Sequence, residues 1–182
     1  MLFPLVTERL LLRHFHESDL DAFHAYRNDP EVFQYQGWHV PYLRETAAEF
    51  IAEMKDAVPG VEGCWFQAAV QRKSDHALIG DVAFCPMRGD ARQAFFGFTL
   101  ARRFWGQGYA AEAARAVLDF LYSELEMHRI VAECDAENAN SFRLLERLGF
   151  RREAHHVESY PTENGWRDEY VYALLEREAG RP

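Results

Sequence analysis

The chain has only three cysteines, Cys64, Cys85 and Cys134, widely separated and without a CxxC pair. That shortage suits a reducing compartment better than a disulfide framework or a zinc site. No apolar stretch approaches the roughly 20 residues needed to span a bilayer. The apolar opening Met1-Leu2-Phe3-Pro4-Leu5-Val6 lacks a basic n-region, and Glu8 and Arg9 end it too soon for a signal peptide. Basic residues are outnumbered, 20 Lys and Arg against 29 Asp and Glu, for a net charge of −9. The deficit argues against nucleic acid and anionic membranes as partners and favours a cationic one. Repeats, low-complexity tracts and linkers are absent as well. The 182 residues are therefore read as one domain, 1–182, of a cytoplasmic protein, monomer or homodimer.

What is present is apolar. Hydrophobic residues make up 48% of the chain and aromatics 14%, enough for a sizeable core, so disorder is a poor reading. Arg9 to Phe15 is short, leucine-rich and strand-like. Glu17 to Asn28 carries Leu20, Phe23 and Tyr26 at helical spacing, and Asp29-Pro30 reads as its stop. A loose aromatic stretch follows, and Leu43 to Asp56 repeats the helical period through Ala47, Phe50, Ile51 and Met54. Cys64 to Gln71, Leu78 to Met87 and Gln93 to Leu100 are successive strands with short turns, which predicts an antiparallel meander.

Gly108 to Leu125 is a long helix whose buried stripe is Ala110, Ala113, Ala114, Val117, Leu118 and Leu121. Ile130 to Cys134 is a strand, and Asn138 to Leu148 a helix closed by Gly149. Glu153 to Tyr160 and Asp168 to Leu175 form a hairpin across Asn164-Gly165. The order β-α-α-β-β-β-α-β-α-β-β predicts an α+β fold, a mixed and mainly antiparallel sheet with helices on both faces.

The sharpest local pattern is Arg103-Phe104-Trp105-Gly106-Gln107-Gly108-Tyr109-Ala110, between a strand and a long helix. Glycines let backbone N–H groups close around an anion, and a helix N-terminus adds free donors and a positive dipole end. A Walker A loop is excluded because no Gly-Lys-Ser/Thr follows. A dinucleotide fold wants its glycine loop in an early βαβ unit, whereas here 105 residues and a three-strand meander precede it.

With the next segment, this loop resembles the signature of the GCN5-related N-acetyltransferases, matched by Arg103, Gly106 and Gly108. Asn138-Ala139-Asn140-Ser141, followed by Leu144-Leu145-Glu146-Arg147-Leu148-Gly149-Phe150, is similar to that family's next helix. Thr7-Glu8-Arg9-Leu10-Leu11-Leu12-Arg13 and Asp168-Glu169-Tyr170-Val171-Tyr172-Ala173-Leu174-Leu175 resemble the subgroup that acetylates the N-termini of ribosomal proteins. The resemblance implies transfer of acetyl from acetyl-CoA, as co-substrate and without a metal, to an amine. The acceptor it implies is a protein N-terminus or a small cationic molecule.

It also implies roles by position. The strand through Phe98 and Leu100 would pair its backbone with the pantetheine arm. Amides of Gly106, Gln107, Gly108, Tyr109 and Ala110 would hold the pyrophosphate. Asn138 would bond the pantetheine, and Ser141 would protonate the departing thiolate. Each has a plainer reading beside it: Asn138 as a helix cap, Ser141 as a first-turn hydroxyl, Arg103 as a solvated charge.

An alkylammonium has no lone pair to attack a thioester, so a proton acceptor is required. Where the related subgroup carries a glutamate, this sequence has Phe95. The base is left among Asp81, Glu133, His155 and Glu158. A non-catalytic acyl-CoA-binding or sensor domain is the alternative that Phe95 motivates. Phe33, Tyr35, Trp38 and Tyr42 are the expected wall for the acceptor.

Overall fold

The computed structural model describes residues 3–162 and 165–180. Its strands are β1 (Leu5–Val6), β2 (Leu10–Arg13), β3 (Phe66–Arg72), β4 (Leu78–Met87), β5 (Asp90–Leu100), β6 (Arg129–Asp135), β7 (Arg151–Thr162) and β8 (Gly165–Leu175). The helices are α1 (Leu20–Arg27), α2 (Pro30–Phe33), α3 (Arg44–Asp56), α4 (Tyr109–Ser123) and α5 (Ala139–Arg147). The strands form one sheet in the order β1-β2-β3-β4-β5-β6-β8-β7, antiparallel except between β5 and β6.

Period-two alternation sorts the strand residues between two cores. Phe66, Ala68 and Val70 of β3 pack with Val82, Phe84 and Phe96 beneath α4, whose Ala113, Ala114, Val117, Leu118 and Leu121 are buried. Ala69, between them, turns to the opposite face and meets Phe23, Ala47, Ile51 and Met54 of α1 and α3. Burying each Val, Leu, Ile, Phe or Met among them is worth about 1.5–3 kcal/mol. Packing therefore outweighs the few tenths that separate helix propensities and holds α4 in place.

Three expectations are corrected. Asp29-Pro30 does stop α1, but it also starts α2: the Asp29 carboxylate accepts from Glu31 N at 3.0 Å and proline takes the first helical position. Asp19 stands at a break between a 3-10 turn over Glu17–Asp19 and α1, because its carboxylate grips Arg13 at 2.7 and 2.9 Å. A two-residue strand, β1, precedes the first expected one. The expected turn residue Asn164 lies outside the described residues.

Gly80 sits in β4 where β5 crosses closest. A Cβ there would lie 2.2 Å from the Thr99 carbonyl oxygen and 2.9 Å from Leu100 Cα.

Candidate active site

The parallel ladder between β5 and β6 is three pairs long: Gln93 with Arg129, Ala94 with Ile130, Phe95 with Val131. Beyond it β5 stays paired with β4 as far as Leu100, and β6 with β8 as far as Asp135. The two strands are thus held by their outer neighbours while the edges facing each other part. On the seam side, the backbone donors and acceptors of residues 96–99 are left without a partner strand.

A cavity of about 550 Å³ continues from this seam. Phe98, Thr99 and Leu100 form one wall, and Gly106, Gly108, Tyr109 and Ala110 another. Asn138, Asn140, Ser141 and Leu144 of α5 and its cap close the third side, and Tyr35 and Gln36 stand opposite. The size is that of a small-molecule site.

At its α4 end, Gly106 and Gly108 have φ of +73° and +82°. This left-handed backbone, which glycine adopts without strain, turns the chain into the helix and makes Gly108 its N-cap. The first N–H groups of a helix have no intrahelical partner, and the dipole adds partial positive charge. The loop is braced from the far end of the sequence. Arg9 donates to the Gln107 carbonyl at 3.0 Å and covers the Tyr109 ring at 4.4 Å. Its Nε also meets Glu112 at 2.6 Å, and Thr7 donates to the same carboxylate at 2.5 Å. Burial alone would raise the Glu112 pKa; the Thr7 and Arg9 bonds overcome it and hold the group below its ordinary value. Trp105 fixes the preceding turn by donating to the Leu100 carbonyl at 2.7 Å.

Asn138 caps α5: its side-chain oxygen accepts from Ser141 N at 3.1 Å. The cap occupies that oxygen and holds the first turn of α5, where Ser141 lines the cavity. Cys134, one strand away, is a poor thiolate because burial and then neighbouring carboxylates push it up to about 12.

Other expected residues stand elsewhere. Arg103 and Gln107 line a separate shallow hollow with Arg72, Asp75 and Phe104. Phe33 is absent from the cavity wall, as are Trp38 and Tyr42. Trp38 lies over the Arg27 guanidinium at 3.9 Å and donates to the Arg27 carbonyl at 3.0 Å. Tyr35 does line the cavity, with the Arg167 guanidinium 5.6 Å from its ring. Arg167 is anchored by Asp135 at 2.9 Å, which also accepts from Tyr160 at 2.5 Å. This chain of contacts joins the β7–β8 hairpin to the segment after α2.

Arg115 and Arg147 also line the cavity and were missed. Helical spacing carries the signal for both. Arg115 is seven residues past Gly108, and Arg147 follows Asn140 and Leu144 on one face. Two exposed cations flank a loop already suited to an anion.

A family model described as an acetyltransferase (GNAT) domain matches residues 9–151. An uncharacterized N-acetyltransferase of Bacillus subtilis (strain 168), YnaD, is 33% identical over 174 residues, covering 96% of this chain and 98% of its own. The crystal structure of a GNAT-family acetyltransferase from Bacillus anthracis superposes with a TM-score of 0.84 at 32% identity, covering 97% of this chain and all of the other. The [ribosomal protein uS5]-alanine N-acetyltransferase of Escherichia coli (strain K12) is 27% identical over 114 residues, 62% of this chain and 59% of that one.

Proposed function

This chain belongs to the GNAT acetyltransferase family, an acetyl-CoA-dependent group of acyltransferases, and we propose that it acetylates a primary amine directly from acetyl-CoA. The acceptor is a protein N-terminus or a small cationic amine. The observation that carries the reading is the parted seam between β5 and β6, continuous with a cavity that ends at the α4 N-terminus.

On the seam side, residues 96–99 offer backbone groups with no partner strand, suited to the amides of a pantetheine arm. A donor among them would also polarise the thioester carbonyl as negative charge develops on its oxygen. The amides of Gly106, Gln107, Gly108, Tyr109 and Ala110 receive the pyrophosphate, with Arg115 and Arg147 supplying charge beside it. Arg103 stays outside that contact set, since it lines another hollow, and Gln107, which lines the same hollow, is given only its backbone amide. Asn138 positions Ser141 through its cap, and the Ser141 hydroxyl gives its proton to the departing thiolate. The similarity to the ribosomal-protein alanine acetyltransferase supports a protein N-terminus as the acceptor.

Thermal melting with acetyl-CoA, free CoA and NAD tests the cofactor. A ligand at a thousandfold excess over its Kd adds roughly 4 kcal/mol, an upward shift of several degrees for a chain of this size. Shifts with both CoA species and none with NAD are expected. NAD alone raising the melting point would overturn the reading. Thiol release on adding primary amines then separates transfer from mere binding; a chain that binds acetyl-CoA and releases no thiol with any amine is the sensor domain instead.

Ser141→Ala is expected to lower kcat by about tenfold or more while acetyl-CoA affinity changes little, as for a group acting in the transition state. Equal losses in both would reduce Ser141 to a binding residue.

A further inference from the structure

Acetyl transfer to an amine needs a proton acceptor, and Phe95 stands where a glutamate was expected; identifying its replacement rests on the acetyl-transfer reading. Three of the four substitutes are removed by position. Asp81 is 3% exposed beneath α1, bonded to the Tyr26 hydroxyl at 2.6 Å and 3.6 Å from Arg27. His155 packs edge-on to Tyr170 and is engaged with Asp168 at 2.6 Å. By register it shares the face of Tyr170, Tyr172 and Cys134, the side covered by α5. Glu158 lies in the irregular stretch of β7, its own N–H bonded to Asp168.

Glu133 is different. The β5–β6 ladder ends at Phe95 opposite Val131. The next positions on the same face of the sheet are Gly97 on β5 and Glu133 on β6, the first residues past the point where the strands part. Gly97 has no side chain, and a Cβ built there would meet nothing within 4 Å, so the floor in front of Glu133 is open. Glu133 is exposed and makes no hydrogen bond or ion pair among the described residues. It lies outside the cavity wall, on the face away from α4 and α5, where an amine can approach without crossing the cofactor loop.

The charged groups facing it are few. Glu169 shares the face from β8, half-buried, and its carboxyl is raised first by burial, then by the Glu133 charge. His156, paired with Glu169 from β7, offsets part of that rise. Asp135, on the same strand, is occupied by Arg167 and Tyr160. Arg129, toward the closed end, is bonded to Glu153. No cation among the described residues pairs with Glu133, and a second carboxylate beside it favours an ammonium ion.

We propose that Glu133 is the proton acceptor of the transfer reaction, carried on β6 two residues past the end of the ladder rather than at the Phe95 position of β5. It takes one proton from the acceptor ammonium, directly or through one water, and passes it to solvent. The freed lone pair attacks the thioester carbonyl carbon to form the C–N bond. As the tetrahedral intermediate collapses the C–S bond breaks, the nitrogen loses its second proton, and the thiolate gains one through Ser141. The net yield is amide, free thiol and one released proton.

The test is a pH profile of kcat/KM for wild type and Glu133→Gln, full-length, with acetyl-CoA. The acceptors are alanine-led and serine-led peptides, spermidine and free lysine. A general base contributes about 10²–10⁴-fold, so roughly a hundredfold loss is expected near pH 7. The gap should close as pH rises past the amine pKa, about 8 for a peptide N-terminus and about 10.4 for a lysine-like amine. The melting shift with acetyl-CoA should be unchanged. A loss under about threefold near pH 7, or the same fractional loss at every pH, would overturn the assignment while leaving the transfer reading intact. A wild-type chain that shifts with acetyl-CoA but turns over none of these amines would remove the transfer reading, and this role with it.

Discussion

Gly108→Val is expected to weaken acetyl-CoA binding by about a hundredfold, roughly 2.7 kcal/mol, and to cost the fold a further 1–3 kcal/mol or so. Both losses have the same origin. Gly108 holds φ at +82° as the N-cap of α4, a conformation that a β-branched residue enters only under strain. Even the first carbon added there lies 3.3 Å from an Arg9 guanidinium nitrogen, so the branched side chain also presses on the brace of the loop. The glycine motif alone suggests a mutant crippled in binding with its fold largely intact; the positive φ and the Arg9 contact add the stability cost. Calorimetric titration gives the affinity and urea unfolding the stability. A folded variant with wild-type affinity would sink the assignment of this loop to the cofactor.

Gly80→Ala should be the most destabilising small substitution in the sheet, costing at least about 3 kcal/mol, the upper end of the overpacking range. A single methyl group would be driven to 2.2 Å from the Thr99 carbonyl oxygen. The obstacle is backbone, hydrogen-bonded within the β4–β5 pairing, and it cannot rotate aside as a side chain would. Relief requires β5 to move at Thr99 and Leu100, which also form a cavity wall. Acetyl-CoA affinity should therefore fall together with stability. At about 2–4 °C per kcal/mol for a chain of this length, the melting point should drop by roughly 6–12 °C. A change below about 2 °C would show that β4 and β5 can part at Gly80 at little cost, against this reading.

Where the sequence carries a period, it located the structure well. Leu78 to Met87 matches β4 in full, and the α4 stripe is buried as its 3.6-residue repeat requires, apart from Ala110, which faces the cavity. The misses lack a period. The two residues of β1 are too few to alternate, and Asp29-Pro30 serves both to end one helix and to begin another. At the site, Phe98, Leu100, Gly106, Gly108, Tyr109, Ala110, Asn138 and Ser141 come together at one cavity although they span 44 residues of sequence. Arg103 and Gln107, embedded in the same motif, do not. Adjacency in a loop does not tell which way a side chain turns. The aromatic run after α1 misled for a related reason: Trp38 and Tyr42 have a buried arginine to cover, and nothing local in the sequence announces that Arg27 is inside.

The contacts of Thr7 and Arg9 with Glu112 and Gln107 make the start of β2 and the glycine loop one mechanical unit, despite about a hundred intervening residues. Changes near the amino end are therefore not remote from catalysis. A tag, a trimmed segment or a substitution that pulls residues 7–9 off α4 would act as a cofactor-site lesion, and its kinetic signature would be a raised requirement for acetyl-CoA.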